Sequence, residues 1–197
     1  MALLILGIVI FIGIHLVKAV APGLRAGVMA RGGTGLWHAI HGACALLGIV
    51  LIAYGFDQSR ATTGMLYNPP RGMAHLALTL MLVACICLVA GFLPPGRIRT
   101  VLKHPALVAI KIWAFSHLLA NGETNSVLLF SAFLAWAVIL RISAKRRVRA
   151  GEISYPPFVS YGYDAIAVVA GTLLWGLFIW KLHELLIGVA PIVIGQG

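Results

Sequence analysis

Residues 2–21 read ALLILGIVIFIGIHLVKAVA, an apolar run interrupted only by His15 and Lys18. A helix of about 20 residues, rising 1.5 Å per residue, crosses the roughly 30 Å hydrocarbon core of a bilayer. It also satisfies its own backbone polar groups, which lipid cannot do. The rest of the 197-residue chain has the same character: 61% of it is hydrophobic and only 10% charged, with a mean hydropathy of +1.00. A soluble domain carries about 25% charged residues. This composition excludes an ordinary soluble enzyme and predicts an all-α integral membrane protein.

Working outward from that run, six apolar segments are legible: Ala2 to Ala21, Leu36 to Gly55, Gly72 to Leu93, Pro105 to Ala120, Ser126 to Ile142 and Asp164 to Gly188. Between them lie helix breakers, "APGLRAGVMARGGTG", "YNPPRG", "LPPGRIRTVLKHP", "NGETN" and "GEISYPPFVSYGY". The expected fold is a polytopic bundle of about six transmembrane helices in a single integral membrane domain, 1–197. The "AVA" at 19–21 resembles a signal-peptide cleavage site. No basic residue precedes the apolar stretch and Pro22 follows the supposed cut, so the segment reads as a retained helix.

Charge gives the orientation. The first, third and fifth loops share one side and hold ten basic residues, from Arg25 and Arg31 through Arg97, Arg99 and Lys103 to the run Arg141, Lys145, Arg146, Arg147 and Arg149. The other side holds Arg60 and Arg71. Cytoplasmic loops carry the excess of Lys and Arg, so both termini are expected on the periplasmic side. The net charge of +10 therefore reads as topogenic residues that also attract anionic head groups, with the lipid bilayer as partner and no nucleic acid. Cys44, Cys85 and Cys87 all fall within spans and make no disulfide framework or metal spacing.

Of the seven histidines, two are deep. His117 stands roughly 18 Å above the cytoplasmic start of its helix, and His15 roughly 9 Å from the cytoplasmic end of its own. An ionisable residue at such depth marks a functional site, and neutral imidazole is the commonest metal ligand. Gly7, Phe11, His15, Lys18 and Pro22 recur at helical spacing, so one face offers a small residue, a flat aromatic ring, an imidazole and a cation. That face suits haem: an iron for His15 and His117, an apolar macrocycle, and propionates for Lys18. Lys18 has the alternative of snorkelling to the interface. On the second span, His38, His41, Ala45, Gly48 and Gly55 form a small-residue packing seam with two histidines at its wet end, where His41 would be an accessory group. His104 before Pro105 marks a helix entry at the interface, accessory to the cofactor edge. Lys181 and Glu184 are expected to pair, and Asp164 to cap the sixth span.

The segments "FIGIHLVKAVAPGLR" and "KHPALVAIKIWAFSHLLANG", with the six-span layout, resemble the NnrU family of bacterial membrane proteins and, more distantly, the 15-cis-zeta-carotene isomerases. The resemblance covers most of the chain and is carried by His15 with Arg25, and by His104, Pro105, Trp113, His117 and Gly122. It implies a bacterial inner-membrane protein binding haem b through the positions of His15 and His117. It also implies a role in nitrogen-oxide (denitrification) metabolism, with nitric oxide or a hydrophobic small molecule as ligand, or isomerase-like chemistry. Two other classes fit the residues: a membrane methyltransferase of the isoprenylcysteine carboxyl type, suggested by the HP motif, and a non-catalytic assembly factor in which the histidines only join helices.

Overall fold

The computed structural model describes residues 1–70 and 72–192; Arg71, counted above for orientation, lies outside the described residues. Every named element among them is helical: α1 (Ala2–Val20), α2 (Pro22–Ser59), α3 (Met73–Phe92), α4 (Arg97–Leu102), α5 (Pro105–Ala120), α6 (Thr124–Arg149), α7 (Gly162–Leu177), a π turn (Phe178–Leu182) and α8 (His183–Ile187). The fold class is therefore the one the hydropathy predicts. Five helical runs reach membrane-crossing length, with α7, the π turn and α8 forming one run of 26 residues. The expected fourth span, α5, has 16 residues, about 24 Å at 1.5 Å per residue.

Two boundaries depart from expectation. The stretch "PGLRAGVMARGG", read as a breaker, is helical, because Pro22 occupies the first helical turn where its missing N–H costs nothing. The break falls instead at Gly33, whose φ of 72° and ψ of −179° lie outside helical space and suit a residue without Cβ. Asp164 caps a helix other than its own. Its carboxylate accepts from the Arg97 and Ile98 N–H groups, at 2.6 and 2.9 Å, closing the N-terminus of α4. α7 has Tyr161 at its N-cap and no side-chain cap.

The chain divides into two compact units. Unit 1 comprises Met1–Pro69 and Asn121–Ala144; unit 2 comprises Pro70–Ala120 and the chain from Lys145 on.

In unit 1, α1 packs along α2. Without a hydrophobic drive between helices in lipid, small residues allow the close approach. A Cβ on Gly7 would stand 2.6 Å from the Ile52 nitrogen, and one on Gly48 would stand 2.8 Å from the Phe11 Cβ. The expected packing seam of α2 is thus present. The α1 face expected to carry a macrocycle is, at Gly7 and Phe11, in contact with α2, because Gly7 and Gly48 let the two backbones approach. At the far end of α2 the buried Ser59 and Asn125 share a hydrogen bond of 3.0 Å, and Thr63 donates to the Asn125 Oδ1 at 3.1 Å.

In unit 2, α3 packs against both α5 and α7. A Cβ on Gly171 of α7 would come within 2.6 Å of the Ile86 Cα on α3, and the Trp175 indole donates to the Leu78 carbonyl at 2.9 Å. The expected Lys181–Glu184 pair is formed at 2.7 Å.

Candidate functional site

Both deep histidines are held by the same local device. In a helix the ring of residue i leans back toward the turn at i−4. His15 Nδ1 lies 2.6 Å from the Phe11 carbonyl oxygen, and His117 Nδ1 lies 2.8 Å from the Trp113 carbonyl oxygen. A carbonyl only accepts, so Nδ1 carries the proton in each ring and the lone pair is on Nε2. Metal-ligating histidines are commonly oriented in this way, through a backbone carbonyl on the nitrogen that does not ligate.

His15 belongs to an aromatic cluster of unit 1. Its ring centre is 4.3 Å from Phe11, 4.7 Å from His41 and 5.5 Å from Trp136, the last two meeting it edge-on at 72° and 77°. His41 also meets Trp37 at 5.8 Å, and the Arg25 guanidinium lies 5.8 Å from the centre of the Trp37 ring. Trp136, on α6, is 7% exposed, and its buried indole N–H meets no acceptor among the described residues. Burying such a donor costs free energy unless something accepts from it, and an oxygen-bearing ligand beside His15 would do so. Lys18 is exposed in the last turn of α1, where a cation also complements the helix dipole. His38 and His75 are exposed.

His117 belongs to unit 2. Its ring centre is 5.4 Å from Trp113 and 6.3 Å from His183, whose plane is within 17° of parallel. His183 Nδ1–H donates to the Val189 carbonyl at 2.7 Å, which again leaves the lone pair on Nε2. Two backbone features put His183 there. The π turn holds one more residue per turn than an α-helix and so moves His183 onto a different face. Gly188 then ends α8 in the left-handed conformation, φ 77° and ψ 13°, and turns the Val189 carbonyl back toward the ring.

His104 stands at the start of α5, its carbonyl accepting from the Leu107 N–H at 3.0 Å and the Val108 N–H at 3.2 Å. Its ring meets Tyr155 edge-on at 5.5 Å, and the Lys103 ammonium sits 5.0 Å from the same Tyr155 ring. Lys103 has φ 67° and ψ −44°, with the His104 N–H bonded to the Leu102 carbonyl at 2.8 Å. This is the strained form of the γ-turn, and it points Lys103 and His104 at one tyrosine.

His15 is thus brought to His41 within unit 1, and His117 to His183 within unit 2. Sequence reasoning missed His183, Trp136 and Tyr155. A histidine near a helix end carries no depth signal, and a buried indole is indistinguishable in sequence from one at an interface. Among the described residues no three His, Cys, Asp or Glu side chains gather as a metal-ligand set. Pairs of imidazoles are what the protein offers, and a pair suits a metal that brings its remaining ligands with it.

Compared with known proteins, the chain matches the family model described as NnrU protein over residues 3–191. No curated protein and no solved structure matches it. With nearly its whole length covered by that match and five helical runs of membrane-crossing length, the chain belongs to the NnrU family of membrane proteins.

Proposed function

We propose that this protein binds haem b in the bacterial inner membrane, with periplasmic termini, and acts in nitrogen-oxide metabolism. In this reading His117 would hold the iron together with a second intramembrane imidazole. His15 is the partner to which the sequence resemblance points. The observation that carries the reading is the shared presentation of the two rings. Each imidazole has Nδ1 on the carbonyl of residue i−4, at 2.6 and 2.8 Å, which directs its coordinating nitrogen away from its own helix. The donor set agrees: two imidazoles are too few for a bare ion, which takes about four ligands, and sufficient for an iron already held by four macrocycle nitrogens. When bound, haem supplies a redox-active iron with affinity for small ligands such as nitric oxide. The protein's part is to orient the imidazoles, exclude water and fix the ring tautomers.

The test is the absorption spectrum of protein purified from haem-replete cells, oxidised and then reduced. A Soret band with sharp reduced α and β bands is expected, and a pyridine haemochrome of the b type. A colourless protein without a haemochrome would overturn the reading.

A further inference from the structure

The end of unit 2 that carries its basic loops holds an open groove of about 530 Å³, walled by Arg97, Ile98, Val101 and Leu102 of α4 and by Tyr161 and Asp164 at the start of α7. We infer that this groove holds one anionic phospholipid, with its phosphate on the Arg97 guanidinium and an acyl chain along Ile98, Val101 and Leu102. The site does not involve the histidines, and the inference is independent of the haem reading.

The walls are tied together through the backbone. The Asp164 carboxylate accepts from the Arg97 and Ile98 N–H groups at 2.6 and 2.9 Å, and the Val159 N–H donates to the Pro95 carbonyl at 2.8 Å. Gly96 makes this approach possible, because a Cβ there would run into the same carboxylate. Both oxygens of Asp164 are thereby engaged by backbone donors, and the Arg97 guanidinium forms no ion pair among the described residues.

The cations around the groove are not equivalent. Arg99 donates to the Leu93 carbonyl, Arg147 is paired with Glu152 at 3.0 Å, and the Lys103 ammonium lies 5.0 Å from the centre of the Tyr155 ring. Arg97 is exposed and is the cation that lines the groove, and a guanidinium matches the geometry of phosphate oxygens. Beside it Val101 is 60% and Tyr161 68% exposed, and α4 follows directly on α3, a helix of membrane-crossing length. Apolar side chains and a tyrosine exposed next to a cation at the end of such a helix suit the head-group region, and basic pockets between membrane helices bind acidic lipid head groups. A soluble phosphate would engage Arg97 and leave the apolar wall in water; a phospholipid covers both.

The experiment compares the wild type with Arg97→Gln, Val101→Ser and, as a control of equal charge change outside the groove, Arg149→Gln. All three side chains are exposed, and the residue 97 N–H keeps its bond to Asp164 whichever side chain it carries. Each protein is delipidated in detergent and incubated with phosphatidylglycerol or phosphatidylcholine, and bound lipid is counted by native mass spectrometry. The wild type should bind one phosphatidylglycerol in preference to phosphatidylcholine. Arg97→Gln should bind phosphatidylglycerol about fivefold more weakly, the ~1 kcal/mol that one basic residue contributes at an anionic lipid surface, while Arg149→Gln should match the wild type. Val101→Ser should weaken both lipids, and glycerol phosphate, the soluble head group, should not displace bound lipid at equal concentration. Equal binding of the two lipids by the wild type, or equal weakening in Arg97→Gln and Arg149→Gln, would reduce the groove to diffuse surface charge and overturn the inference. Unchanged binding in Val101→Ser, or displacement by glycerol phosphate, would overturn it too, by removing the acyl chain from the site.

Discussion

The two units present the same residue type in the same way and differ in spacing. Unit 1 sets His15 and His41 edge-on at 4.7 Å beneath Trp136, whereas unit 2 sets His117 and His183 nearly parallel at 6.3 Å. The first arrangement is direct ring contact between half-buried imidazoles of α1 and α2. Within each unit the fold therefore brings a second imidazole to one of the two deep histidines.

The largest expected effect comes from removing His117. His117→Ala should lose most of the haem on purification, read as the haem-to-protein ratio from the pyridine haemochrome. Next come the glycines on which each unit closes. Gly171→Val would drive a side chain into the Ile86 backbone of α3, and Gly48→Val would drive one into Phe11 of α1. Overpacking of this kind costs about 1–3 kcal/mol, occasionally more. Both variants should lower the thermal unfolding temperature, and an unchanged temperature in either would mean that its glycine is not needed for the helix contact.

A smaller effect is expected at the polar end of unit 1. Asn125 is 2% exposed, donates to the Ser59 hydroxyl, and accepts from Thr63 and from the Ser126 N–H. Asn125→Ala leaves buried groups without partners and should cost about 1–3 kcal/mol in detergent unfolding, with an unchanged haem spectrum.

The smallest effect concerns pH. Partial burial, and then the Glu123 carboxylate, raise the Tyr67 phenol above its usual value. A group with a raised folded-state pKa contributes stability that is fully present below the unfolded value, about 10 for tyrosine, and is lost as pH rises through the folded value. Stability should fall in that alkaline window, and Tyr67→Phe should flatten the fall. An unchanged slope in the variant would remove Tyr67 as its source.

Hydropathy made the helices legible, because lipid forces nearly every apolar run of 20 residues into that one structure. It also singled out His15 and His117, since an imidazole deep in a span is conspicuous. His183 was hidden because its position depends on the π turn at Phe178–Leu182 and on the left-handed Gly188, and neither has a hydropathy signature. The helical stretch after Pro22 was hidden by its four glycines before residue 34, which read as a loop until the backbone shows that only Gly33 leaves helical space. Asp164 was assigned to the wrong helix because a capping carboxylate can serve any N-terminus within reach, and the nearby one belongs to α4, a helix of six residues too short to announce itself.

The most direct test of the haem reading is electron paramagnetic resonance of the ferric wild type beside His15→Ala and His117→Ala, each purified from haem-replete cells. The reading predicts a six-coordinate low-spin haem in the wild type and a high-spin iron or a lowered haem stoichiometry in each variant. A wild type without haem, or wild-type spectra from both variants while still folded by size-exclusion chromatography, would contradict it.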